Sequence, residues 1–137
     1  MRRRASGALV VAVAAASCAV ATALAATPEL GAYHWESRTG AVNFHVVGAD
    51  PRIEEALATT ARCGRYGKSI EVTKPIDVSE AGRFAYDGNA AVVGGGRTQV
   101  EYKGRFVTPT KAEGRVDIGG CGRRATLDFK ARRLGGP

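Results

Sequence analysis

Between residues 31 and 47 apolar and polar residues alternate with a period of two. His34 separates Tyr33 from Trp35, and Asn43 and His45 separate Val42, Phe44 and Val46. Ser37-Arg38-Thr39-Gly40 lies between the two runs. This pattern predicts a β-hairpin. A two-residue loop at Arg38-Thr39 sets Ser37 opposite Gly40, Trp35 opposite Val42 and Tyr33 opposite Phe44. That register gathers the apolar residues on one face and the polar ones on the other, whereas a slip of one residue would invert every side chain.

The same period recurs downstream. Ile70 alternates with Val72, and Ile76 with Val78 beyond the interruption at Pro75. Further runs are Phe84 and Tyr86, then Thr98, Val100 and Tyr102, then Val116 and Ile118, and finally Ala125, Leu127, Phe129 and Ala131. Asp87-Gly88 reads as a tight turn and Gly94-Gly95-Gly96 as a loop. Gly104 reads as a bulge before Phe106. Residues 53–63 are ambiguous. Asp50-Pro51 suits a helix start, and Ile53, Leu57 and Ala61 have helical spacing, so local chemistry leans towards a helix. Read as a strand, the segment puts Ile53, Leu57, Ala61 and Cys63 on one face. About eight short strands with frequent turn signals predict an all-β fold, either an antiparallel β-sandwich or a small closed barrel. Residues 132–137 read as a frayed tail.

The first 25 residues follow another logic. Arg2-Arg3-Arg4 precedes a run, residues 8–26, without a single charge, and Ala23-Leu24-Ala25 supplies a small-x-small cleavage pattern. This is an export signal, which leaves residues 26–137 as one β-rich domain beginning at Ala26. Two rival fates stay open: retention of the apolar run as an anchor, and lipidation of Cys18. A secreted or otherwise extracytoplasmic location follows from the signal, and membrane association is expected only through it.

Cleavage changes the charge. The chain carries 20 Lys and Arg against 13 Asp and Glu, a net charge of +7. Arg2, Arg3 and Arg4 leave with the signal, so 17 cations face the same 13 acids and the net charge falls to +4. The domain is mildly basic, short of a polycation built for nucleic acid. Arginine outnumbers lysine 15 to 5, a composition associated with GC-rich bacterial genomes. Cys63 and Cys121 remain as an even pair, which in an exported chain reads as a disulfide. Closing about 59 residues, it stabilises the fold by about 4 kcal/mol on chain-entropy grounds.

Several further positions carry a resemblance. They are Gly31-x-Tyr33, Thr39-Gly40-x-Val42-x-Phe44-x-Val46, Cys63, Pro75-Ile76-x-Val78 and Gly82-Arg83-Phe84. With them go Gly104-Arg105-Phe106-x-Thr108-Pro109-Thr110-x-Ala112-x-Gly114, Cys121 and Ala131-Arg132-Arg133. The set resembles a loose group of uncharacterised bacterial exported single-domain β-rich proteins. The resemblance spans nearly the whole domain and implies a strand at 53–63 and the cysteine pairing, but no activity. Members usually carry a tryptophan in the last strand, where this chain has Leu127 and Phe129.

Candidate chemistry is sparse. His34, Glu36, Asn43 and His45 share the polar face of the first hairpin and include metal-ligating types, but a solvated face explains them as well, so no metal and no cofactor are expected. Gly94-Gly95-Gly96-Arg97 lacks the spacing of a phosphate cradle, and Ser69 and Ser79 lack a nucleophile-elbow context. Enzyme activity is therefore not expected. Lys103, Arg105, Arg115, Arg124, Lys130 and Arg132 point outward from their strands. If the strands are neighbours, they form a basic stripe suited to anionic envelope polymers, although Glu101, Asp117 and Asp128 interleave with it and ordinary cross-strand pairing is the rival account. No aromatic is expected at the surface for base stacking, so a specific nucleic-acid partner is not expected. The resulting expectation is a secreted, monomeric, non-enzymatic domain that binds an anionic envelope polymer or another extracellular protein. Its alternatives are a protease inhibitor, presenting Thr108-Pro109-Thr110-Lys111 or Gly64-Arg65-Tyr66-Gly67, and a small-ligand carrier.

Overall fold

A computed structural model describes residues 26–122 and 125–135. The predicted export signal, residues 1–25, and Arg124 lie outside them. The elements are β1 (Gly31–Ser37), β2 (Gly40–Val47), β3 (Arg52–Thr60), β4 (Lys68–Val72), β5 (Ile76–Asp77), β6 (Arg83–Val92), β7 (Arg97–Thr108), β8 (Lys111–Ile118) and β9 (Ala125–Arg133). Each strand except β5 pairs antiparallel with its neighbours in the chain, and β9 pairs back onto β1 through Tyr33↔Arg133 and His34↔Arg132. Eight strands thus close into an up-and-down barrel, which removes the exposed edges of an open sheet. The short β5 is an extra strand on the lower half of β3. Proline has no N–H to donate to a ladder, and Pro75 stands where β4 ends and β5 takes over.

The first hairpin has the register expected from its alternation, with Ser37↔Gly40, Trp35↔Val42 and Tyr33↔Phe44. Residues 52–60 form a strand and not a helix, and they depart from simple alternation. Asn43 pairs with Leu57 and His45 with Glu54, so Phe44 alone faces both Glu55 and Ala56. Glu55 takes up the extra residue in the left-handed region, at φ 51°, which is a β-bulge. The bulge shifts the parity. Ile53, Ala56, Ala58 and Thr60 are buried, and Leu57 turns to the outer face. The tertiary pairing with β2 and β4 overrides the local helical spacing, because an isolated helix of this length is marginal while both strand ladders are complete.

Three smaller expectations also change. Asp87 and Gly88 lie inside β6, paired with Glu101 and Val100, because the long β7 ladder carries β6 straight through. The β7 bulge falls between Phe106 and Thr108, and Gly104 pairs regularly with Gly114. The chain stays ordered past Arg132: Arg133 N–H donates to Thr110 and Leu134 N–H to Ala32.

The interior is filled by side chains, as in other barrels of this strand number. Tyr33 stacks on Phe44 with ring centroids 5.1 Å apart, and Phe44, Phe84 and Phe106 continue the cluster towards Tyr102 and Phe129. Small inward residues make room for these rings. Phe84, Gly104, Gly114 and Phe129 stand in one row across β6–β9. A Cβ on Gly104 would approach Phe84 to 2.6 Å, and one on Gly114 would approach Phe129 equally closely. The two rings take the places of the missing side chains. Cys63 and Cys121 are joined, tying the β3–β4 loop to the β8–β9 loop, a bond compatible with an extracytoplasmic location.

Candidate functional site: the basic wall of strands β6 to β9

The outward residues of β6–β9 form rows across neighbouring strands. One row runs Arg83, Arg105, Glu113, Lys130. The next runs Ala85, Lys103, Arg115, Asp128. A third links Lys111 to Arg132 and on to His34 of β1. The antiparallel register thus makes neighbours of residues far apart in the chain, as far as His34 and Arg132.

Between the first two rows lies an open depression of about 560 Å³. Its floor is the backbone of Gly104 and Gly114 with Phe84 beside them, and its rim carries Arg83, Lys103, Arg105 and Arg115. Glu113 and Asp128 also border it. The two glycines pair with each other at its floor, with the Phe84 and Phe129 rings close against their inner side. A second depression of about 170 Å³ is bordered by Lys111, Lys130, Arg132 and the same Glu113. Of the stripe residues expected from the sequence, Lys103, Arg105 and Arg115 therefore surround one hollow, and Lys130 and Arg132 its neighbour. Arg83 and Lys111 belong to the same surface and were missed. Their signal was available, since each directly precedes an inward residue, Phe84 and Ala112.

Ion pairing divides these cations. Lys103 Nζ donates to Glu101 at 2.8 Å, and Arg115 Nε to Asp128 at 2.8 Å. The hydrogen bond it donates to Asp128, with the charge of that carboxylate, raises the Arg115 pKa above the ordinary range. Among the described residues no carboxylate lies within ion-pair distance of Arg83, Arg105, Lys111, Lys130 or Arg132. Cross-strand pairing thus accounts for part of the stripe and leaves five cations unpaired. The acidic row Asp87, Glu101, Asp117 is satisfied locally, by Gln99, Lys103 and Thr126 respectively.

The histidine face divides differently. His34 meets Asn43 through Nδ1 and Glu36 at 3.6 Å through Nε2, while His45 faces Glu55 at 3.7 Å. Among the described residues no three His, Cys, Asp or Glu groups converge as metal ligands. Gly94–Gly96 closes a tight turn, with Gly95 N–H donating to Val92 and Val92 N–H to Gly96. Of the two inhibitor loops, the one at Thr108–Lys111 is anchored, since the Pro109 carbonyl accepts from both Glu29 N–H and the Tyr33 hydroxyl at 2.8 Å. The loop at Gly64–Gly67 projects, with Tyr66 91% exposed and the Arg65 guanidinium 5.8 Å from its ring centre. This corrects the expectation that no aromatic stands at the surface. Flanked by glycines, Tyr66 carried no alternation to reveal which way it points.

In comparisons with protein-family models, with curated proteins and with solved structures, nothing matched the chain.

Proposed function

We propose that this chain, which resembles a group of bacterial exported β-rich proteins, is an exported, non-enzymatic β-barrel that binds an anionic polymer of the cell envelope on the outer wall of β6–β9. The observation carrying this reading is the hollow floored by Gly104 and Gly114 and rimmed by four cations, two of them without a carboxylate partner among the described residues. A strand of polymer could lie along the wall, with its backbone on the glycine floor and its charges between Arg83 and Arg105. The neighbouring hollow at Lys130 and Arg132 extends the same track. Several local contacts support a non-enzymatic role. The Ser69 hydroxyl bonds Thr59, and the Ser79 hydroxyl accepts from Arg83 N–H. Each histidine faces a separate acid. The packed aromatic interior favours wall binding over carriage of a small ligand inside the barrel.

The test is calorimetric titration of the purified domain with a polyuronate and with a neutral glucan. Binding to the polyuronate alone, weakened at least tenfold in Lys103→Glu/Arg105→Glu, is expected. Unchanged binding in that variant would overturn the wall as the site. One observation favours a second reading. Arg65 and Tyr66 project beside a disulfide, the arrangement a protease inhibitor uses. Stoichiometric inhibition of an arginine-specific protease, without cleavage after Arg65, would be its signature.

A further inference from the structure

The end of the barrel that carries the disulfide has cationic connections without acids. Four connections meet there: β1–β2, β3–β4, β6–β7 and β8–β9. They are held to one another by specific bonds. Ala61 N–H donates to Thr39, Val93 N–H to Ser69 and Gly119 N–H to Gln99. Lys68 Nζ and the Thr98 hydroxyl both donate to the Gly119 carbonyl, at 3.1 and 2.8 Å, and Cys63 is bonded to Cys121. Residues 37–40, 61–68, 93–97 and 119–124 contain no aspartate or glutamate. Arg38, Arg62, Arg65 and Arg97 are exposed on these connections, and no carboxylate among the described residues pairs with them. The opposite end carries Glu29, Asp50, Asp77 and Glu80 against Lys74, with Leu30 and Leu134 about half exposed there.

Two apolar side chains stand among these arginines. Tyr66 is 91% exposed and Val93 63% exposed, the largest exposures of any large hydrophobic residue described. They sit on adjacent loops flanked by glycines. At a bilayer, an aromatic ring and a short aliphatic group reach the headgroup level while arginines lie against anionic lipids. Loop tips arrayed across a barrel end form a surface, not a groove, which suits a flat target better than a polymer chain.

We propose that the disulfide-bound end of the barrel docks on an anionic phospholipid bilayer, with Tyr66 and Val93 at the headgroup level and Arg38, Arg62, Arg65 and Arg97 over the acidic lipids. This does not rest on polymer binding by the β6–β9 wall, which lies on the side of the barrel. The acids at the far end disfavour the inverted orientation, so the barrel stands on the membrane.

The experiment uses residues 26–137, in which every strand of the closed barrel finds its neighbours within residues 26–135. Sedimentation is measured with vesicles of phosphatidylcholine alone and of phosphatidylcholine with phosphatidylglycerol in equal parts. Binding is expected to the anionic vesicles only and to be lost in about 1 M salt, where screening acts within about 3 Å. At about fivefold per arginine, Arg62→Gln/Arg65→Gln/Arg97→Gln should weaken it about a hundredfold, while Lys103→Glu/Arg105→Glu should leave it within a few-fold. Tyr66→Trp on the otherwise unchanged chain should shift its emission to the blue on anionic vesicles. An unshifted emission, an unaffected triple variant, or binding to soluble polyanions such as single-stranded DNA without binding to vesicles would each overturn the proposal.

Discussion

Two buried tyrosines should respond in opposite directions to loss of the same atom. Tyr33 and Tyr102 are both inside the barrel, each at most 1% exposed. The Tyr33 hydroxyl lies 2.8 Å from the carbonyls of both Glu29 and Pro109 and shares its proton between them. The Tyr102 hydroxyl has no hydrogen-bond partner among the described residues. A buried hydroxyl left unpaired costs about 1–3 kcal/mol in lost hydration, whereas a paired one contributes about 1 kcal/mol. Tyr102→Phe removes the unpaired group and leaves a void the size of one oxygen, which returns about 0.3 kcal/mol. The variant should therefore be more stable than the parent by about 1–2 kcal/mol, a rise in Tm of about 4–8 °C for a domain of this size. Tyr33→Phe strands two carbonyls and should lose about 1 kcal/mol or more. Both are read by urea denaturation at pH 7, with Tyr86→Phe at the barrel rim as a further comparison. A Tyr102→Phe variant less stable than the parent would refute the reasoning. It would show that the hydroxyl is hydrogen-bonded in solution, through water held among the rings of Phe84 and Phe129.

Other consequences are as direct. Burial is the main cause that raises the Tyr33 phenol from 10.0 to about 12, partly opposed by Arg133, and burial raises Tyr102 further. A phenol whose pKa is higher in the folded state stabilises the fold fully below pH 10. That contribution falls as pH rises from 10 towards 12, so denaturation midpoints should drop across that window and hold steady from pH 8 to 9.5. Gly114→Ala would place a methyl 2.1 Å from the Lys103 carbonyl and 2.6 Å from the Phe129 ring. It should cost about 1–3 kcal/mol, and a change under about 0.5 kcal/mol would mean that both the ring and the β7 backbone give way freely. Cys63→Ser/Cys121→Ser opens a link spanning 58 positions and should lower stability by about 4 kcal/mol, seen as a shift in urea midpoint; an unchanged midpoint would show that the barrel alone restrains the two loops.

Much of the barrel was legible because a strand's period of two follows directly from backbone geometry. The first hairpin could be read to the residue, since the Arg38-Thr39 loop and the apolar alternation specify one register between them. The inward sets of β7 and β9 followed for the same reason, and the cysteine pair was expected because two cysteines follow the predicted export signal. Residues 52–60 were not legible. The Glu55 bulge adds a residue that only pairing with β2 reveals, and it changes which side chains face the core. Asp87-Gly88 misled because turn chemistry is a local preference, and the complete ladder with β7 outweighs it. Choosing a barrel over a sandwich was beyond any local signal, since both bury the same alternating faces. Closure is decided by the meeting of β9 with β1, a hundred residues apart in sequence. The basic wall is half a matter of sequence, because outward parity marks its cations one strand at a time. Only the antiparallel register gathers Arg83, Arg105, Lys103 and Arg115 around two glycines. The cationic end belongs wholly to tertiary structure. Its arginines lie in three separate connections, and what makes them one surface is that up-and-down closure brings alternate loops to the same end.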